Sequence, residues 1–274
     1  MTALDAPART HGSAIALHWS GVALVAITWI SAAIFGAYII AFYGGAIQDG
    51  TLEVWNTVLP RLYETTSLPA TIAIGAHFAT GAILLLLGPV QLIGAVRARA
   101  RALHRWIGRL YASCALIAGI GGLVFIFSKG TIGGVPMNIG FGLYGALMVL
   151  TAVQTVRHAM ARRLELHRSW AIRLFALAIG SWLYRLDYGF WSLLTGGIGH
   201  TESFDGWFDV LMAFFFYLPN LAIAELFIRA RRWQGGPALR LSASAALIVA
   251  TGFVSLGTYY FTLYAWAPAI AARF

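Results

Sequence analysis

The stretch RALHRWIGRLYASCALIAGIGGLVFIF, residues 101–127, divides sharply at Arg109. Up to that point stand Arg101, His104, Arg105 and Arg109; beyond it, Leu110 to Phe127 holds no charged side chain. At about 1.5 Å of rise per residue, such a run crosses most of a hydrocarbon core about 30 Å thick. Backbone polar groups inside a bilayer must be bonded within their own segment, so the run reads as a membrane-spanning helix. The arginines at its foot mark the cytoplasmic end.

The same pattern recurs along the chain. Of 274 residues, 59% are hydrophobic and 11% charged, with mean hydropathy +0.76; soluble domains carry about 25% charged residues. Apolar runs predict spans at residues 19–43, 71–94, 107–127, 137–156, 170–194, 207–228 and 242–265. The expected fold is all-α: a polytopic membrane bundle of seven transmembrane helices, one integral-membrane domain over residues 1–274. Residues 1–18 are expected as a short cytoplasmic tail and not as a cleaved signal.

Charge gives the orientation. The loop at 44–70 carries Asp49, Glu53 and Glu64 against Arg61, and that at 195–206 carries Glu202 and Asp205 with no Arg or Lys. Arginines instead fill 95–109 (Arg97, Arg99, Arg101, Arg105, Arg109), 157–169 (Arg157, Arg162, Arg163, Arg168) and 229–240 (Arg229, Arg231, Arg232, Arg240). Adding Arg9, one side collects fourteen positives against three on the other, Arg61, Lys129 and Arg273. The prediction is N-terminus in and C-terminus out, in the bacterial cytoplasmic (inner) membrane, crossed several times. The net charge of +9 is thus a topology signal and not a nucleic-acid footprint. The single cysteine, Cys114, lies in an apolar run and leaves no disulfide framework or Cys-based metal site.

An offset of 63 residues aligns HFATGAILLLLGPVQLIGAVRARARALHR (77–105) with GFGLYGALMVLTAVQTVRHAMARRLELHR (140–168). Gln91 meets Gln154, and Leu103-His104-Arg105 meets Leu166-His167-Arg168. After one inserted residue, Trp106 meets Trp170 and Arg109 meets Arg173. Helices two and three (71–127) and helices four and five (137–194) read as an internal repeat of one hairpin. Both copies run the same way through the membrane, so the repeat is parallel and its union is a four-helix core.

His77, GPVQL at 88–92, LHRWIGRLY, LHRSWAIR with Arg185 later in the same helix, and PNLAIAE ending at Glu225 together resemble the bacterial membrane-protein family known as domain of unknown function 2306. The resemblance covers about residues 70–230 and implies a fold and a motif set, with no established activity. In helix count and His placement the chain is more loosely similar to diheme transmembrane cytochromes b, which hold haem between four helices.

Ionisable side chains within spans face the bundle interior or a water-filled cavity and have partners. They fall here in two layers. One holds His77 on helix two with Arg185 and Asp187 on helix five. These last two point about 200° apart and cannot pair, so Arg185 needs a substrate anion, Asp209 or an aromatic ring face. The other layer holds His104, Arg105 and Arg109 at the foot of helix three, His167, Arg168 and Arg173 at the foot of helix five, and Glu225, a partner for Arg109 or Arg173 with Arg229 competing. Pro219-Asn220 frees a carbonyl and sets an amide in mid-span.

His104 and His167 each precede a small residue one turn on, Gly108 and Ala171, leaving room for a flat group. An imidazole nitrogen can ligate haem iron while Arg105 and Arg168 bind propionates. The alternative is that both His-Arg pairs anchor lipid headgroups. Gly140 stands where a second outer His is expected, so a symmetric diheme arrangement is not supported. His18, His158 and His200 read as solvated. No P-loop, dinucleotide-binding glycine motif, H-E-x-x-H or G-x-S-x-G is present. Three functions remain open: a haem b redox protein with His77, His104 and His167 as candidate ligands and a quinone or small reductant as partner; a small-solute transporter or ligand-binding protein using His77, Arg185 and Asp187; and a scaffold subunit without chemistry. Whether the chain is an enzyme is left open.

Overall fold

The computed structural model describes residues 5–58, 63, 68–232 and 236–273, and within them all regular structure is helical. Arg61 and Glu64 of the expected acidic loop lie outside the described residues. Helix α1 (Asp5–Ile39) runs through a π-helical turn (Ile40–Gly44) into α2 (Gly45–Asp49). The residues expected as a tail are thus helical from Asp5 and extend the first rod. A 3₁₀ turn (Leu52–Thr57) leads on to α3 (Leu68–Leu92), α4 (Gly94–Arg99), α5 (Arg101–Lys129) and α6 (Gly134–Met160). Then follow α7 (Leu164–Ala178), α8 (Gly180–Thr195), α9 (Trp207–Phe215), α10 (Leu218–Arg231), α11 (Pro237–Phe261), a second π turn (Thr262–Trp266) and α12 (Ala267–Ala271).

Five of the resulting rods are long and apolar enough to cross a membrane: His11–Asp49, Arg101–Lys129, Gly134–Met160, Trp207–Arg231 and Pro237–Ala271, with mean hydropathy from 1.6 to 2.2. Helix α3 contributes a shorter apolar stretch, His77–Leu92. The segment 164–195 is divided at Ile179 into α7 and α8 and carries Arg173, Arg185 and Asp187. The molecule is a helical membrane bundle.

Two helix interruptions meet inside it. The α7–α8 break sets Gly180 against the carbonyl of Phe216, which lies in the α9–α10 break. A broken helix exposes carbonyls that hydrocarbon cannot satisfy, and neighbouring side chains do so instead. The Tyr144 hydroxyl donates to Leu177 O at 3.0 Å, Tyr217 to Gly140 O at 3.2 Å, and Asn220 Nδ2 to Phe216 O at 2.7 Å. Pro219 opens α10, where its missing N–H costs no bond. These groups sit in the main core, with Leu84, Tyr111, Cys114, Met148, Leu174, Leu177, Phe208, Met212 and Phe216. Cys114 is buried there, as its apolar run predicts.

The loops sort to two ends. Arg231 Nη2 bonds Glu165 Oε2 at 3.1 Å and Arg232 Nη2 bonds Ser169 Oγ at 2.9 Å, while Arg97 and Arg231 both act on Arg168. The three arginine-rich connections therefore gather at one end, the basic end. At the opposite end Arg273 reaches Asp49 and Gln48, and Gly133 lies against the carbonyl of Phe204.

Candidate functional site

Away from the basic end, α1, α3 and α8 bring together one polar group set among aromatic rings. The π turn carries Tyr43, whose ring stands 4.3 Å from that of Phe78 and 6.0 Å from that of Tyr38. Trp55, 2% exposed, donates its indole N–H to Tyr43 O at 3.3 Å and wedges this corner. Arg185 comes in from α8. Its Nη1 donates to Ser181 O at 2.9 Å and its guanidinium carbon lies 5.8 Å from the Phe35 ring centroid. Its charge acts on Tyr38, Tyr43, Tyr184 and His77. Arg185 and His77 are both exposed.

No carboxylate among the described residues pairs with Arg185. Asp209, one of its expected partners, is taken up elsewhere, and the ring face of Phe35 is what the fold supplies. Asp187, half-buried, shows no hydrogen bond or ion pair among the described residues. A guanidinium held ten residues, about 15 Å of helix, from the end of α8 with no counter-charge is an expensive arrangement in a bilayer.

The basic end holds the second layer. His167 Nδ1 lies 3.0 Å from Thr155 O. A carbonyl only accepts, so Nδ1 is the donor in this contact, and in the neutral ring Nε2 is then the acceptor. His104 interacts electrostatically with His167 and Arg97, and its buried Nδ1 has no hydrogen-bond partner. Gln91 Nε2, Gln154 Oε1 and His158 Nδ1 are likewise buried without partners, and His158 also interacts with His167. His158, expected as solvated, is half-buried, with its Nδ1 covered. The Gln91 side chain lies beside Gly108, its Oε1 3.1 Å from where a Cβ would stand. Arg105 and Arg168 are exposed. No group of three or more His, Cys, Asp or Glu side chains that could hold a metal ion occurs among the described residues.

The two arginines further along these helices differ. Arg173 Nη2 and Nε both donate to Glu225 Oε2, at 2.6 and 3.0 Å, and Arg229 Nε reaches Glu225 Oε1 at 3.2 Å. Glu225 thus selects Arg173 over Arg109. Each arginine stacks on the tryptophan three residues before it, Arg173 on Trp170 at 4.8 Å and Arg109 on Trp106 at 5.3 Å. Asn220 is bonded to the broken backbone at Phe216 O. Gly140, the residue in place of a second outer His, lies where any Cβ would overlap the Ala213 carbonyl, so no ligand side chain fits there.

One network escapes sequence reasoning. Asp209, 0% exposed, accepts from His200 Nδ1 and Tyr188 Oη on Oδ1, both at 2.7 Å, and from Thr201 N and Gly206 N on Oδ2, at 3.0 and 3.1 Å. Tyr184 Oη donates to Tyr188 Oη at 3.1 Å, so the chain runs from His200 to the ring beside Arg185. The usable signal is Asp209 three residues after Gly206 at a helix start, a capping pattern; the partners of its other oxygen come from folding of the loop.

No curated protein and no solved structure matches the chain. A family model described as "Predicted membrane protein (DUF2306)" matches residues 74–228, from just before His77 to just after Glu225, more than half of the chain. His77, His104, His167, Arg173, Arg185 and Glu225 lie within that match, while Phe35, Tyr38, Tyr43 and Trp55 lie before it, and the chain belongs to this family of predicted membrane proteins.

Proposed function

We propose that this protein binds a small anionic molecule at Arg185, within a seven-helix bundle oriented N-terminus in and C-terminus out in the bacterial cytoplasmic membrane. The observation that carries the reading is the intramembrane guanidinium without a carboxylate partner among the described residues, exposed like His77 and in electrostatic reach of Tyr38, Tyr43 and Tyr184. A carboxylate or phosphate would supply the missing charge through the planar donor fork of arginine, and the tyrosines and imidazole would add hydrogen bonds and exclude water. The function is then that of a ligand-binding or small-solute transport protein, with Asp187 on the other side of α8 as a second intramembrane charge.

The segregation of arginine-rich connections to one end supports the orientation, since α3, the α7–α8 pair and the five long rods together make seven passes. Matched stacking of Arg109 on Trp106 and Arg173 on Trp170, and the paired orphan amides of Gln91 and Gln154, support a parallel repeat of 71–127 and 137–194. A periplasm-active phosphatase fused after Phe274 should be active, and one inserted at residue 233 inactive.

Ligand binding is tested on detergent-purified protein by thermal shift against a panel of carboxylates and phosphates. A ligand at 100 times its dissociation constant stabilises by about 2.7 kcal/mol. The stabilisation should vanish in Arg185→Gln and persist in Arg109→Gln; equal shifts in both variants would refute the reading. A second reading is favoured by one observation, the bare Nε2 of His167 near the unsatisfied His104: a prosthetic group such as haem b held at the basic end. An absorption spectrum of protein from haem-replete cells decides it, because a Soret band lost in His104→Ala and His167→Ala is required.

A further inference from the structure

Arg109, in the polar layer at the basic end, has no carboxylate partner among the described residues. It is exposed, and its guanidinium stacks on Trp106, itself 68% exposed. Beside it runs a groove of about 440 Å³ lined by Trp106, Ile107, Arg109, Leu110 and Ser113. These residues occupy two turns of α5 at the basic end, where an apolar wall, an indole, a hydroxyl and a cation follow one another along the helix surface.

Arg173 shows what is missing. It has the same stacking on a tryptophan three residues earlier, but Glu225 neutralises it. Among the described residues Arg109 has no carboxylate. It lies about one turn along α5 from Arg105, further into the bilayer than a purely topological arginine needs to be. Arg97, Arg99, Arg101 and Arg105 precede it and leave that end positive. A charge so placed attracts a fixed anion at headgroup depth, and tryptophan occupies the same interfacial zone.

We infer that this groove is a binding site for one anionic phospholipid, its phosphodiester on the Arg109 guanidinium beside the Trp106 indole and an acyl chain running inward past Leu110 and Ser113. The site is distinct from the anion site proposed at Arg185, and neither depends on the other. Charge complementarity selects the occupant: a neutral or zwitterionic lipid fills the apolar wall equally well but leaves the arginine without net compensation.

Native mass spectrometry of the full chain, from mixed micelles of phosphatidylglycerol and phosphatidylcholine with identical acyl chains, tests this. Wild type should retain phosphatidylglycerol over phosphatidylcholine by about fivefold at one saturable site, the factor one basic residue at a membrane surface gives. Arg109→Gln should bring the ratio to about one, Arg109→Lys should keep part of the preference, and Lys129→Gln at the opposite end should leave it unchanged. Equal retention of both lipids by wild type, or an undiminished preference in Arg109→Gln, would overturn the inference. So would a dimer that dissociates in Arg109→Gln while lipid retention stays the same, since the groove would then seat a second copy.

Discussion

Asp209 is the place where the loop at 196–206 is fastened to the bundle, and replacing it with asparagine changes one atom of the carboxylate. The native group takes four hydrogen bonds, two on each oxygen, and is fully buried. An amide has one oxygen to accept with. If that oxygen faces Thr201 N and Gly206 N, the NH₂ group confronts the Tyr188 hydroxyl and the His200 ring; if it faces those, the NH₂ confronts two backbone N–H groups that cannot turn round. The first arrangement is cheaper, because tyrosine can rotate its proton and histidine can change tautomer. It still loses two hydrogen bonds to a charged acceptor, each worth about 1.5–3 kcal/mol, partly replaced by neutral ones. The expected cost is about 2–4 kcal/mol in Asp209→Asn, and more in Asp209→Ala, which orphans both backbone donors. The assay is thermal or denaturant unfolding of detergent-purified protein, with protease susceptibility of residues 196–206 as a local readout. A change under about 0.5 kcal/mol in Asp209→Asn, with the loop still protected, would show that the network contributes little and refute the reasoning.

Gly140→Ala forces a methyl group into the Ala213 carbonyl and should destabilise by about 1–3 kcal/mol. Gly81→Ala, where a Cβ meets nothing within 4 Å, should be nearly silent in the same unfolding assay. In double-mutant cycles Arg173 and Glu225, both partly exposed, should couple by about 1 kcal/mol, and the more exposed Arg229 with Glu225 by about 0.3–0.5 kcal/mol. Cys114, buried in the main core, should resist maleimide labelling in folded protein and react fully after denaturation in SDS; rapid labelling of the native state would contradict its packing.

Hydropathy made the helices legible, because a bilayer demands long uncharged runs and leaves few other ways to use them. Glu225 was readable as an arginine partner, though the choice of Arg173 depends on how α7 packs against α10. The interruptions at Ile179 and Phe216–Tyr217 were less visible: Pro219-Asn220 signals one, and nothing local signals the other, whose freed carbonyl is met by Tyr144 from a distant helix. The π turns at 40–44 and 262–266 shift register by one residue without a marker in composition. His200 looked like a loop residue because its burial partner depends on how the loop folds back. For Arg185, spacing excluded Asp187 as a partner, and only the fold shows that Asp209 is also unavailable.

The unneutralised charge at Arg185 also has an electrical consequence. About 15 Å of helix from the end of α8, it lies within the field that the transmembrane potential drops across the bilayer. Moving one elementary charge through the full drop is worth about 2.3 kcal/mol per 100 mV, so traversing about half of a core about 30 Å thick is worth about 1.1 kcal/mol, a six- to sevenfold change in affinity. In the proposed orientation, with the cell interior negative, a monovalent anion reaching the proposed site from the outer face works against that field. Occupancy of the site would fall as the membrane hyperpolarises and rise as it depolarises, making an energised membrane the setting in which the site most readily lets its anion go.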